Sequence, residues 1–381
     1  MKKLIQGGYI HNAIIPEAFE ADILIEHGKI SAIAPHLPML EDGEVIDASG
    51  KHIYPGFVEA HCHIGLAGYG MGDVGADINE KNDILTPHLR GIDGVKPSVA
   101  YLEKAAKAGV TTICVGPGSS NIVGGTFAAI KTVGICVDDM LIRDGVAMKC
   151  AFGENPKRHY ANKRDCSRMT TAAILRELLF KTREYMRKKD AAGGDWTKYP
   201  SFDMKLESMI PVLRRDMPMK VHAHETEDIF TALRIAKEFD LRITLEHVTE
   251  GHLIVRELAE ANVPLAVGPL MCNGSKVEVR NMDNCTAGIL AAAGCQVSII
   301  TDAPVIRQEF LPIIAGMAVK AGMDPFQALQ AITINPARHI GVEDRVGSLE
   351  VGKDADIVIT DGNPFDSMTN VELVMIDGKT I

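Results

Sequence analysis

The sequence has no basic run of useful length, no apolar stretch approaching the roughly 20 residues that span a bilayer, and no Cys-x-x-Cys pair. Each absence removes a class of function. With 40 Lys and Arg against 50 Asp and Glu, the formal net charge of -10 argues against a nucleic-acid partner and points to a small-molecule substrate. The missing apolar run argues against a membrane protein. Its opening Met-Lys-Lys-Leu-Ile-Gln-Gly-Gly lacks the apolar centre of a secretion signal, so a cytoplasmic location is expected. The eight cysteines are scattered without disulfide or metal spacing and are expected to be free thiols. Seventeen methionines suit an apolar interface as well as a core, which leaves a homo-oligomer open.

A chain of 381 residues at 46% hydrophobic content is long enough for one large core and a smaller one. Residues 1–55 and 345–381 carry short strand patterns broken by turns, such as Ala21 to Glu26 and Lys29 to Ile33 around Gly28. Between them, residues 56–344 alternate buried strands with amphipathic helices, the pattern of βαβ units and a parallel sheet. About eight such strands fall between Phe57 and Asp302, the number that closes a (β/α)8 TIM barrel. The β segments of the two chain ends then pair beside it as one small module.

The first of those strands ends in His61-Cys62-His63. Alternate side chains of a strand share a face, so both imidazoles point to one place while Cys62 turns to the core. Further candidates lie at the ends of other strands: Lys149 in the fourth, His222 and His224 in the fifth, His247 in the sixth and Asp302 in the eighth. In a (β/α)8 barrel the working residues sit at these C-terminal strand ends. Asp302 alone reads as a turn residue, but five strands agreeing read as a site. Lys149 lies in apolar Ala147-Met148-Lys149-Cys150-Ala151, where a bare ammonium is costly without a partner. The glycine-rich stretch Gly116 to Thr126 lacks the Lys-Ser/Thr ending of a phosphate loop and is expected to line the substrate site. Arg158, on the loop after the Lys149 strand, is a candidate for a substrate carboxylate.

Taken together, His61-Cys62-His63 after Tyr54-Pro55-Gly56-Phe57, Thr301-Asp302, and the terminal Gly347 to Val358 resemble the metal-dependent amidohydrolase superfamily. Val221-His222-Ala223-His224-Glu225 and Leu245-Glu246-His247 are most similar to its imidazolonepropionase-like branch and the related dipeptidases. The resemblance implies a (β/α)8 barrel, a β-sandwich built from both chain ends, and one or two divalent metals, usually zinc (Zn2+). It implies that His61, His63, His222 and Asp302 hold the more buried ion, that His247 serves a second ion or the substrate, and that Lys149 is a candidate for carbamylation. His224 and Glu225 are expected at the substrate. Metal binding lowers the pKa of water to roughly 7, and Asp302 would act as general base and then acid during C–N (amide) hydrolysis. A mononuclear deaminase is the alternative, with no use for a carbamylated lysine; a catalytically silent binding barrel is a third reading.

Overall fold

The computed structural model describes residues 2–67, 72, 75–162 and 166–381. Residues 68–71, 73, 74 and 163–165, in the loops that follow the His61-Cys62-His63 strand and the Lys149 strand, lie outside the described residues. Five strands open the chain: β1 (Lys3–Ile10), β2 (Phe19–Glu26), β3 (Lys29–Ala34), β4 (Glu44–Asp47) and β5 (His52–Pro55). The β2–β3 connection has His27 at φ 53° and Gly28 at φ 79°, the two left-handed positions that a tight two-residue hairpin needs.

Eight strands follow in the second sheet: β6 (Phe57–Cys62), β7 (Val110–Val115), β8 (Val123–Lys131), β9 (Leu141–Ala151), β10 (Met219–Ala223), β11 (Ile243–His247), β12 (Leu265–Val267) and β13 (Val297–Ile299). They neighbour one another in chain order. Beyond β13, the His63 amide donates to the Ala303 carbonyl at 2.7 Å, which brings the last strand end back to the first. The result is a nearly closed, TIM-like barrel. One expectation is corrected here: β8 runs antiparallel to both β7 and β9, so the sheet is not wholly parallel. The connection from Val115 to Val123 is too short for the crossover helix that a parallel return requires.

Amphipathic helices alternate with these strands and follow them. Arg168–Ala191 buries Leu175, Leu178 and Leu179, and Pro325–Ala331 starts at Asp324, whose carboxylate accepts the Gln327 amide at 2.9 Å. No helix among the described residues is long and apolar enough to cross a membrane.

Both chain ends meet in one sheet. The last strands β14 (Ile357–Thr360), β15 (Val371–Ile376) and β16 (Lys379–Thr380) continue the order β16-β15-β14-β5-β1-β2-β3, with β4 also paired to β1. Ile5, Ile23, Ile53, Ile357 and Met375 form its separate core. A buried charge cluster joins it to the barrel: Lys131 at the end of β8 lies 2.8 Å from Asp356 and 3.2 Å from both Asp354 and Asp377.

Candidate active site

Register brings the candidates together before any side chain is considered. In the sheet Lys149 pairs with Lys220, His222 lies beside both Ala151 and Glu246, and Ala223 beside His247. Each of these strands ends at the same rim of the barrel, where the chain must turn: His247 and Asp302 take φ 75° and 51° there. Gly153, just beyond the Lys149 strand, has φ 81° and lets Glu278 approach to where a Cβ would meet its Oε2 at 2.3 Å.

Four imidazoles are oriented in the same way. His61 donates from Nδ1 to Glu246 at 3.0 Å, His63 to the Gly116 carbonyl at 2.7 Å, and His247 to the Gly268 carbonyl at 2.9 Å. His224 Nδ1 lies 2.7 Å from the Thr249 hydroxyl. Carbonyl and carboxylate oxygens only accept, so at the first three the proton sits on Nδ1 and Nε2 carries the lone pair. Those lone pairs face one space. Asp302 Oδ1 is 3.4 Å from His63 Nε2 and 3.7 Å from His61 Nε2, and Lys149 Nζ is 3.2 Å from His61 Nε2. His222 is 3% exposed, and neither of its ring nitrogens has a hydrogen-bond partner among the described residues. An orphaned buried imidazole of this kind is what a ligand without its ion looks like.

Electrostatics agree with that reading. Burial, reinforced by the neighbouring cationic groups, holds His61, His222 and His224 neutral far below the usual histidine range and brings His247 down to about 4. Burial works against the Asp302 carboxylate, but the surrounding imidazoles, His63 first and then His247 and His61, outweigh it and hold the group below the usual carboxylate range. Burial also lowers Lys149 to about 8. Two groups, His222–His224–His247 and His61–His247–Asp302, have their ligand atoms within 4.8 Å of one another, so neutral nitrogens and a carboxylate fit a divalent ion.

A cavity of about 280 Å³ opens from this cluster, lined by His63, His222, His224, His247 and Asp302 together with Asn79, Ser119, Asn155, Arg158 and Lys276. Arg158 also borders a wider recess of about 690 Å³ with Glu154, Lys157 and Ser167, which lies outside the cluster. Glu225, expected at the substrate, is placed elsewhere. Its oxygens pair with Arg168 and, at 3.2 Å, with Arg280, and it does not line the cavity.

A polar layer beneath the cluster was not singled out from the sequence. The Glu246 carboxylate takes His61 Nδ1, Lys220 Nζ at 2.9 Å, His339 Nε2 at 2.9 Å and the Thr244 hydroxyl at 2.6 Å. Glu59 accepts the His61 and Thr301 amides, the Thr301 hydroxyl and the Gln308 side chain. Lys149 and Lys220 each hold an ammonium over the Phe127 ring, at 5.6 and 5.7 Å. Glu59 and Lys220 each precede a candidate histidine by two, so the period-2 rule that found His61 and His222 would have found them also. His339, on the helix Ile334–His339, carried no local signal.

The comparisons with known proteins give the same frame. Residues 52–381 match the Amidohydrolase family. Among curated relatives, amidohydrolase tasK of Hapsidospora irregularis is 28% identical over 94% of this chain, which spans only 39% of that protein's length. The imidazolonepropionase of Symbiobacterium thermophilum is 26% identical over 87% of this chain and 81% of its own. A crystal structure of an amidohydrolase from Thermotoga maritima MSB8 superposes with a TM-score of 0.96 at 38% identity, covering 100% of this chain and 99% of that one. A barrel rim carrying His61, His63, His222, His247 and Asp302 and a match over most of the length have one explanation: the chain belongs to the amidohydrolase family, within its imidazolonepropionase-like branch.

Proposed function

We propose that the protein is a metal-dependent hydrolase of an amide C–N bond in a small molecule or dipeptide. The observation that carries this reading is the convergence of His63, His222, His247 and the ionised Asp302 on one cavity wall, with His61 and the Lys149 amine in contact 3.2 Å apart and buried behind it. One or two divalent ions, zinc by the nitrogen-rich donor set, are held by His61, His63, His222, His247, Asp302 and Lys149. A bound ion supplies activated water at neutral pH and polarises the scissile carbonyl. Asp302 takes a proton from the attacking water onto its carboxylate and delivers it to the leaving nitrogen. His247 serves an ion or the substrate carbonyl, while His224 and Arg158 bind the substrate from the cavity wall.

Carbamylation of Lys149 is part of the proposal, because CO₂ reacts only with the free amine. At pH 7.5 a group with pKa about 8 is roughly a quarter unprotonated, against about one part in a thousand at the ordinary lysine value. We also propose that the module of both chain ends, 1–55 with 345–381, packs as a β-sandwich beside a 56–344 barrel, and that the protein is cytoplasmic.

The test is ion content per chain after saturation with zinc and bicarbonate, for the protein and for Lys149→Ala, with assays on N-acyl amino acids and dipeptides. Two ions falling to one or fewer in the variant, together with hydrolysis, support the reading. One ion in both makes Lys149 structural and moves the activity toward a deaminase. No ion in either refutes the metal site.

A further inference from the structure

Lys276 stands on an exposed stretch after β12, among Asn273, Gly274 and Ser275, yet its own side chain is only 12% exposed. It reaches inward to the histidines. Its Nζ lies 3.1 Å from His224 Nε2 and forms a close ion pair with Glu278 Oε1. An ammonium has donors and no acceptor, so this contact can only be Lys276 donating to the His224 lone pair. With Nδ1 of His224 occupied by Thr249, that lone pair is the one ligand atom the ring can offer.

The three-histidine group His222–His224–His247 is therefore already engaged by a positive charge. Glu278, 1% exposed, supplies the counter-charge, its Oε1 standing 3.6 Å from His222 Nε2 and 3.7 Å from His224 Nε2. The other group, His61–His247–Asp302, contains no atom bonded to Lys276; its own lysine, Lys149, lies 3.2 Å from His61 Nε2 and would be turned from a competing cation into a ligand by the proposed carbamylation. The two groups share only His247.

We propose that a second metal ion would take His224 as a ligand beside His222 and His247, in place of the substrate contact given to it above, and that Lys276 is a tethered cation that competes for this three-histidine group, so that one ion binds with Lys276 in place and a second only when its side chain is displaced. The inference rests on the proposed metal site but concerns only occupancy of its outer half. A divalent ion entering there must break the Lys276–His224 bond and sit beside an ammonium in a poorly solvated cavity. Its exposed loop gives the lysine a way out to water.

The test is titration of metal-free protein with Co2+ in the presence of bicarbonate, followed by visible absorption and calorimetry, with ion content measured after dialysis. The protein should bind one ion tightly and a second more weakly. Lys276→Met removes the charge and leaves Glu278 facing the histidines; its second site should tighten by about tenfold to a hundredfold, the value of one hydrogen bond to a charged group. Lys276→Arg should keep the second site weak. Two ions of equal affinity in the unaltered protein, or a second site unchanged in Lys276→Met, overturns the competition while leaving the metal site standing. No ion in any of the three proteins overturns both. Circular dichroism of each variant separates loss of a site from loss of fold.

Discussion

Glu246 is the most heavily used carboxylate in the barrel, and replacing it with glutamine gives a sharp prediction. The side chain is 0% exposed and takes four donors, two of them from Lys220 and His61 on Oε2. Burial alone would raise its pKa, but the charge of Lys220 and the hydrogen bonds from His339 and His61 hold it well below the usual range. Glu246→Gln keeps the shape and removes the charge, stranding the Lys220 ammonium at 1% exposure and presenting an NH₂ to groups that already donate. Leaving a buried ion unpaired costs about 3–5 kcal/mol. Losing the anchor on His61 Nδ1 should also weaken metal binding about 10–100-fold, since that bond fixes the ring and its tautomer. Urea unfolding followed by circular dichroism reads the first effect, and zinc competition against a chelator reads the second. The companion Glu246→Gln/Lys220→Met variant removes both members of the pair and should recover a large part of the stability but none of the affinity. A single variant within about 1 kcal/mol of the unaltered protein, or a double variant as unstable as the single, refutes this account.

The remaining predictions concern protons and packing. Lys149 binds its proton less tightly folded than unfolded, so in metal-free, bicarbonate-free protein its contribution to stability should rise by about 3 kcal/mol as pH climbs from about 8 to 10.5. Urea midpoints across that window should show this slope in the unaltered protein and lose it in Lys149→Met. Glu59 behaves in the opposite sense: burial, only partly offset by bonds from Thr301, His61 and Gln308, raises it to about 7. The folded state holds that proton more tightly, so stability should fall as pH rises from about 4.5 to 7, and Glu59→Gln should flatten the fall in the same titration. Gly56 joins β5 to β6, and a Cβ there would lie 2.1 Å from the Thr111 hydroxyl; Gly56→Ala should cost about 1–3 kcal/mol by overpacking, seen as a lower thermal midpoint.

What the sequence made legible was whatever is local to a strand. His61 and His63, His222, His247 and Asp302 lie at strand ends, where a two-residue period and a change to loop composition mark both the direction of a side chain and its height in the barrel. The period says nothing where the strand stops. Glu225 is expected at the substrate only as the residue that follows His224 onto the loop, but the chain turns there into the helix Thr226–Phe239, and Arg168 and Arg280 claim the carboxylate. The reversed β8 was written in the short connection before it, and was hidden because an antiparallel strand carries the same buried pattern as a parallel one. His339 reaches Glu246 from 93 residues away and Lys276 reaches His224 from 52, separations that no spacing rule spans.

Charge in the barrel interior connects these pieces. Glu246 neutralises Lys220, and its other bonds go to His61, His339 and Thr244. Lys276 is matched by Glu278. Lys149 is different: it is 0% exposed and is bonded to His61 Nε2, and no carboxylate is ion-paired with it among the described residues. A lysine kept in that position gains little as an ammonium, because burial opposes the charge and the nearby Glu246 and Asp302 carboxylates offset it only in part. As a carbamate it would carry one negative charge instead of one positive, directed at the lone pairs of the surrounding imidazoles, and a divalent ion would bind to both. That reversal of sign is the physical reason to prefer a modified Lys149 over a structural one. It also makes bicarbonate, beside metal, the reagent whose withdrawal should empty the site.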